Sequence, residues 1–206
     1  MRFIFLVLFS AIAANQVQAQ KMYEYADKKF RYSVKVDSAN DQCSVKSISI
    51  YNLSDKKLVQ QIIPAENTFY CTMEKDQILT IEDVNFDGLY DIRIIQFLPA
   101  GPNIPYFYWF FDAKTGRFKA DKRLEDVVSP EFDHQKKLIH SGWRDGCCDH
   151  GNSIYKFIGE KLIKIEEVEI ATDMKHEGYQ IFTRKKLVKG KWLVVEKKKE
   201  KITVEK

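Results

Sequence analysis

Short segments in which apolar and polar residues alternate dominate the chain. The alternation is clear at 30–36 (FRYSVKV) and at 45–51 (VKSISIY), and similar segments recur further along. A period of two is typical of β-strands with one buried face, because successive side chains of a strand point to opposite faces. Turn sequences, such as KTG at 114–116 and KG at 189–190, separate many of these segments.

The predicted strands follow one another closely, and no long segment has the period of 3.6 that indicates a helix. Strands are expected at 30–36, 45–51, 58–63, 78–81, 92–98, 106–111, 137–140, 153–158, 162–170, 179–187 and 192–195. Short strands joined by hairpins predict an all-β fold, an antiparallel meander in the form of a sandwich, a barrel or a small β-propeller-like domain. No linker divides the chain, so we expect one domain over 20–206.

Six consecutive aromatic residues occupy 106–111 (YFYWFF). Neighbouring side chains of a strand alternate between its faces, so a strand of this composition is apolar on both. We expect a central strand that is buried on both faces, with an exposed aromatic binding strip as the alternative.

Residues 1–19 have the features of a secretory signal peptide. Arg2 precedes an apolar run from Phe3 to Ala14, and the small residues Val17 and Ala19 predict cleavage after Ala19. The run is too short to span a bilayer comfortably, and no later segment is long and apolar enough to cross a membrane. We therefore expect a periplasmic or secreted mature chain of residues 20–206.

The four cysteines are Cys43, Cys71, Cys147 and Cys148. An even number in an oxidising compartment predicts disulfides. A bridge between Cys43 and Cys71 would leave the neighbours Cys147 and Cys148 to each other in a strained vicinal bridge. Alternatively, each of the two neighbours pairs with one of the earlier cysteines, and the sequence leaves this choice open.

The net charge of +4 conceals a basic C-terminal segment. Residues 184–206 carry ten lysines and arginines and three glutamates, a net charge of +7. Their alternating charged and apolar residues predict a final hairpin with one solvated basic face. The signal peptide argues against a nucleic-acid partner, whereas a weak attraction to anionic polymers of the cell envelope stays open.

The segment IEDVNFDGLYDIRI at 81–94 concentrates acidic residues around one glycine. It reads D-x-N-x-D-G-x-x-D, the spacing at which oxygen atoms wrap a calcium ion, with Gly88 permitting the sharp turn. The predicted ligands are Asp83, Asn85, Asp87, the carbonyl group of Leu89, and Asp91. Ile94 stands where an EF-hand loop has glutamate, so the loop is incomplete in that respect. We expect a structural Ca²⁺, and the alternative is a polar Asp-Gly hairpin without metal.

The segment SGWRDGCCDHGN at 141–152 combines cysteine, aspartate and histidine. Adjacent residues cannot all point at one zinc ion, and a cysteine nucleophile needs a positioned base. A disulfide-braced loop is therefore favoured, in which His150 and Gly151 form a turn and the imidazole group is hydrogen-bonded to the backbone. We do not expect an enzyme, and a hydrolase that uses this segment or the acidic loop is the least favoured alternative.

The part of the chain from about 78 to 167 resembles a family of bacterial exported proteins. The resemblance rests on DVNFDGLYDIRI, GPNIPYFYWFFDAKTGRF, LEDVVSPEFDHQKKLIHSGWRDG and HGNSIYKFIGEKLI. Named members of that family are immunity proteins and inhibitors of peptidoglycan hydrolases, paired with lysozyme-like effectors of type IV secretion. The resemblance implies a calcium-binding, β-propeller-like fold and a lysozyme-like hydrolase as partner, blocked by a loop inserted into its cleft.

The resemblance does not identify the inhibitory loop by motif, and Cys147 and Cys148 depart from the small, glycine-rich stretch expected there. A plug for an acidic cleft needs a rigid loop with an aromatic or arginine anchor. Tyr106, Trp143 and Arg144 meet this chemical need and are the partner-binding candidates. The competing interpretation is a calcium-stabilised structural or adhesive module of the envelope.

Overall fold

The computed structural model describes residues 19–146 and 148–202, of which 62% lie in β-strands and 2% in a helix. The strands form three antiparallel sheets that follow one another along the chain. The prediction of an all-β, antiparallel fold is therefore confirmed. The predicted signal peptide lies outside the described residues, except for Ala19, which begins the first strand.

The first sheet holds the strands β1 to β5. Their bounds are β1 Ala19–Ala26, β2 Phe30–Ala39, β3 Gln42–Asn52, β4 Leu58–Ile62 and β5 Phe69–Tyr70. The order is β1-β2-β3-β4, and the short β5 also pairs with β3. A disulfide joins Cys43 to Cys71, as one of the predicted pairings has it, and ties the end of β5 to β3. Such a bond is typical of proteins that fold in an oxidising compartment.

The second sheet contains the acidic loop and the aromatic strand. Its elements are the helix α1 Lys75–Ile78 and the strands β6 Thr80–Glu82, β7 Asp91–Ile95, β8 Tyr106–Asp112 and β9 Arg117–Asp121, in the order β6-β7-β8-β9. The strand expected at 78–81 is wrong at its start, since Ile78 ends the helix and β6 begins at Thr80. A helical turn forms here because the amide of Gln77 donates to the carbonyl group of Glu74 at 3.0 Å.

The third sheet is a six-stranded meander in strict chain order. Its strands are β10 Pro130–Asp133, β11 Leu138–Asp145, β12 Asp149–Ile158, β13 Lys161–Thr172, β14 Tyr179–Val188 and β15 Lys191–Lys201. The predicted final hairpin is confirmed as β14 and β15. Lys189 and Gly190 both have positive φ, 51° and 77°, which is the backbone of a tight type I′ turn.

The second sheet lies in the middle of the packing, because each of its faces is covered by a different neighbour. Alternate residues of β8 show this directly. Trp109 and Phe111 belong to an apolar cluster shared with the first sheet, whereas Tyr108 and Phe110 belong to a second cluster that includes Ile139 of the third sheet. The aromatic run is thus a central strand buried on both faces, as predicted.

Two further observations bear on the sequence predictions. Among the described residues, no helix is both long and apolar enough to cross a membrane. Cys148 is disulfide-bonded, and the pairing of Cys147 lies outside the described residues.

Candidate functional site

The acidic loop, residues 83–90, connects β6 to β7 and is closed by its own hydrogen bonds. The carboxylate of Asp83 accepts hydrogen bonds from the amides of Asp87 at 3.1 Å and Gly88 at 2.8 Å. Asn85 accepts from the amide of Asp87 at 2.9 Å, and Asp87 accepts from the amide of Leu89 at 2.8 Å. These bonds turn three predicted ligands inward on one short loop. Gly88 takes φ +89°, which explains the glycine at this place in the turn.

Phe86 anchors the acidic loop to the third sheet. Its ring is 8% exposed and meets the rings of Phe132 and His134 edge-on, at centroid distances of 6.2 and 5.6 Å. Its carbonyl group accepts a hydrogen bond from Nζ of Lys137 at 3.1 Å. The backbone of Phe86 is left-handed, with φ 64°, which is unfavourable for a bulky side chain. Burial of the ring offsets this strain and holds the loop in one conformation.

Asp91, the last predicted ligand, is fully buried at the start of β7. Oδ1 accepts from the amide of Phe111 at 2.8 Å, and Oδ2 accepts from the amide of Val84 at 3.2 Å. Burial raises the pKa of Asp91 to about 7, and the two backbone hydrogen bonds oppose this rise. Asp91 therefore ties the beginning of the acidic loop to the aromatic strand.

The fit of this loop to a cation rests on its oxygen atoms. Within the described residues, no group of three or more His, Cys, Asp or Glu side chains is arranged so that it could hold a metal ion. The donor set expected from the sequence includes an amide and a backbone carbonyl group as well as carboxylates, however. An ionised carboxylate offers about four lone-pair positions. Asp83 accepts two backbone amides, and Asp87 accepts one backbone amide and, at 3.1 Å, Nδ2 of Asn85, so each carboxylate keeps acceptor positions that a hard cation such as Ca²⁺ would use.

A second candidate site forms where the proline-containing loop 99–105 meets β11. The side-chain amide of Asn103 pairs with both backbone groups of Arg144: Nδ2 donates to the carbonyl group at 2.7 Å, and Oδ1 accepts from the amide at 2.8 Å. The side-chain amide thus pairs with Arg144 as the backbone of a neighbouring strand would, although the two residues are 41 positions apart in the sequence. We call loop 99–105 together with residues 142–145 the clamped loop pair.

Ser129 makes further hydrogen bonds to loop 99–105. Its hydroxyl group accepts from the amide of Ile104 at 3.0 Å and is hydrogen-bonded to the carbonyl group of Pro102. The amide of Ser129 also donates to the carbonyl group of Ile104 at 2.8 Å. Loop 99–105 is therefore held at several points, although Gly101 and Pro102 remain exposed.

The clamped loop pair borders a groove of about 420 Å³. Its lining includes Pro102, Glu131, His140, Trp143, Arg144, His150 and Asn152. Trp143 is half-buried and lies across Gly151, its partner on β12. A Cβ atom added at Gly151 would lie 2.3 Å from the carbonyl oxygen of Val168 and 2.8 Å from the Trp143 ring. Glycine is thus required for the indole ring to lie in this position.

Arg144 presents its charge to solvent at the rim of this groove. The residue is exposed, and it makes no ion pair with any residue in the described part of the chain. His150, also in the groove, contacts the carbonyl oxygen of Cys148 through Nδ1 at 3.1 Å, so the predicted backbone hydrogen bond is confirmed. The turn predicted at His150 and Gly151 is wrong, because both residues lie in β12. A guanidinium group that makes no ion pair is suited to binding a carboxylate.

Tyr106, the remaining partner-binding candidate, lies elsewhere. Its ring covers the guanidinium group of Arg93 at 4.6 Å, and the ring of Phe132 lies 5.2 Å from the same group. Arg93 also pairs with Glu82 at 3.2 Å. Tyr106 lines a separate recess with Ile104. Trp143 and Arg144 thus line one groove, whereas Tyr106 lies in a contact between the second and third sheets.

Sequence reasoning missed several residues that build these sites. Asn103 and Ser129 position the clamped loop pair, Gly151 makes room for Trp143, and Phe86 anchors the acidic loop. For Asn103, the available signal was its place in the proline-containing stretch GPNIP. Pairings across 41 residues leave no local pattern, so the role of Asn103 could not be found from spacing alone.

No protein-family model matches the chain. No curated protein matches it either. Among solved structures, the chain is similar to a Xanthomonas type IV secretion system related protein, with a TM-score of 0.59 and 18% sequence identity. The match covers 90% of this chain and 96% of that chain. At this identity the likeness establishes a shared fold over nearly the whole length of both proteins.

Proposed function

We propose that the protein is exported and inhibits a lysozyme-like peptidoglycan hydrolase through the clamped loop pair. The observation that carries the proposal is the double hydrogen bond between Asn103 and the backbone of Arg144. It fixes an exposed loop beside an uncommitted arginine and a half-buried tryptophan before any partner binds. Ordering that precedes binding lowers the entropy cost of association.

The chemistry of the surface supports a carboxylate-lined cleft as its target. Glycoside hydrolases of the lysozyme type place two carboxyl groups on either side of the bond that they cleave. The guanidinium group of Arg144 is a fitting counterpart for such a group, and Trp143, which lines the same groove, would provide an aromatic anchor. Occupying the cleft with these side chains would exclude the polysaccharide.

Three observations support the setting of this proposal. The sequence resembles exported inhibitors of hydrolases over about 78–167, and the solved structure of similar fold is described as related to a type IV secretion system. The Cys43–Cys71 disulfide is in keeping with an oxidising compartment outside the cytoplasm.

We propose in addition that the acidic loop binds Ca²⁺ as a structural ion. Asp83, Asn85, Asp87 and the carbonyl group of Leu89 would hold it, with Asp91 supporting the loop from the core. A divalent cation would convert the mutual repulsion of clustered carboxylates into attraction. The ion would stiffen the connection between β6 and β7, and it takes no part in chemistry on a substrate.

The experiment that tests the proposed function measures the clearing of a peptidoglycan suspension. The mature protein is added alone and together with several types of lysozyme. We expect it to slow clearing by at least one lysozyme and to clear nothing alone. Unchanged clearing by every lysozyme would favour the adhesive module, and clearing by the protein alone would identify a hydrolase.

A further inference from the structure

The last strand of the third sheet, β15, has an edge that no other strand covers. It pairs with β14 on one side and ends the sheet order, so its outer backbone groups have no strand partner within the described residues. It is eleven residues long and is not interrupted by proline, and one register shift leaves Val195 without a partner on β14. Long exposed edges of this kind are templates for pairing with another extended segment.

The apolar part of β15 is exposed on both faces. Trp192 and Val194 share one face and are 43% and 59% exposed. Leu193 projects from the opposite face and is 48% exposed. A partner that packs face to face against the sheet would cover one of these faces only. An added strand has side chains on both sides of the sheet and would therefore cover both at once.

The remainder of β15 carries positive charge, concentrated on one face. Lys197, Lys199 and Lys201 pair with alternate residues of β14, so all three project from the same face. Lys199 is bound to Asp173 at 2.9 Å, whereas Lys197 and Lys201 are exposed and make no ion pair with residues in the described ranges. On the opposite face, Glu196 is paired with Arg184 and Lys198 and neutralises them in part.

We propose that β15 is a docking edge for an extended, acidic segment of a partner polypeptide, which adds to the third sheet as a seventh strand. Apolar residues of that segment would pack beside Trp192, Leu193 and Val194, and its carboxylates would pair with Lys197 and Lys201. The positive charge of β15 argues against a second copy of this chain as the partner. Residues 191–201 contain five lysines and two glutamates, so two such strands would repel each other.

The test uses the mature protein and a short synthetic peptide as the probe. One half of the peptide consists of valine, so that apolar side chains lie on both of its faces, the other half carries glutamate, and one end bears a fluorophore for anisotropy. One control peptide has a central proline, which cannot complete the ladder, and another has lysine in place of glutamate. We expect binding of the first peptide only, weakened when salt is raised from about 0.05 to about 0.5 M.

Two protein variants complete the test. Val194→Lys places a charge in the apolar part of the edge and should weaken binding about tenfold. Leu58→Lys changes a residue that is 57% exposed on β4, a different edge strand, and should leave binding unchanged. If Val194→Lys has a lower melting temperature than the parent, its weaker binding no longer tests the edge. Hydrogen exchange of the β15 amides in the parent, measured with and without the glutamate peptide, then replaces the variant as the test. Protection by the glutamate peptide supports the proposal, and no protection overturns it.

Other results would overturn the proposal in a recognisable way. Failure of the parent to bind the glutamate peptide, or equal binding by Val194→Lys, would exclude the docking edge. Equal binding of the proline peptide would show attraction without strand addition. If the parent self-associates in sedimentation and Val194→Lys does not, the partner of β15 would be a second copy of this chain and not an acidic segment. None of these results depends on inhibition of a hydrolase, so the two proposals can fail separately.

Discussion

The side-chain amide of Asn103 makes two hydrogen bonds, of 2.7 and 2.8 Å, to the backbone of Arg144. One amide side chain thereby joins the loop between β7 and β8 to strand β11. The arrangement allows an exposed arginine to sit on a fixed backbone while its side chain stays available. This clamp fixes the position of an irregular loop against the end of a β-strand, and our proposal rests on that arrangement.

Replacing Asn103 should loosen the clamped loop pair. Asn103→Ala removes both hydrogen bonds and should lower the free energy of unfolding by about 1–2 kcal/mol. In Asn103→Asp, the carboxylate can still accept from the amide of Arg144 but cannot donate to its carbonyl group. The rate of hydrogen exchange at the Arg144 amide should therefore lie between those of the parent and Asn103→Ala. Chemical denaturation and exchange rates measure the two effects. Exchange at Arg144 that is as slow in Asn103→Ala as in the parent would show that the clamp does not order this backbone.

Gly151→Ala should displace Trp143. The new methyl group would lie 2.3 Å from the carbonyl oxygen of Val168, a backbone atom that cannot move away cheaply. We expect a loss of about 1–3 kcal/mol in the free energy of unfolding and a changed tryptophan fluorescence spectrum. Gly101→Ala is the matched control, because its Cβ atom would meet nothing within 4 Å. Equal stability of the Gly151→Ala and Gly101→Ala variants would contradict the packing described for Trp143.

Phe86→Ala should release the acidic loop from the third sheet. Loss of a buried aromatic ring costs about 3–5 kcal/mol, and relief of the left-handed backbone returns little of it, since alanine is also disfavoured there. We expect a lower midpoint in urea denaturation. Leu58→Ala, at an exposed apolar position of β4, should change the midpoint little. A midpoint for Phe86→Ala close to that of Leu58→Ala would show that the ring does not anchor the loop.

Calcium should raise the melting temperature of the parent protein, and a chelator should reverse this rise. Asp87→Ala should abolish the response, because it removes a carboxylate from the centre of the predicted ligand set. Asp126→Ala removes an exposed carboxylate outside the acidic loop and should retain the response. Identical melting of the parent with calcium and with chelator would rule out the proposed ion.

Much of the fold could be predicted from the alternation of apolar and polar residues. The strands β2, β3, β8, β13 and β14 lie where the period of two places them, whereas β12 begins at Asp149, inside the segment predicted as a loop. The strand β1 was missed because it lies at the predicted cleavage site and is largely exposed. The strands β5 and β10 were missed because two and four residues are too short to display a period, and β9 was missed because Phe118 is its one buried residue.

The candidate sites could be predicted in part, for a different physical reason. The acidic loop is a local feature, so the spacing of Asp83, Asn85 and Asp87 already indicates that their side chains converge. The clamped loop pair depends on contacts between residues far apart in the chain. Trp143 and Arg144 could be nominated by chemistry, whereas Asn103 could be recognised only once its contact with Arg144 was known.

The most direct test of the central claim is an inhibition titration of a lysozyme-like hydrolase with the parent, Arg144→Ala and Arg117→Ala. Arg117 is an exposed arginine at the start of β9 and serves as the matched control. We predict that Arg144→Ala weakens inhibition at least about tenfold without lowering the melting temperature, and that Arg117→Ala inhibits like the parent. Inhibition by Arg144→Ala as strong as that by the parent would contradict the claim that this arginine enters the cleft.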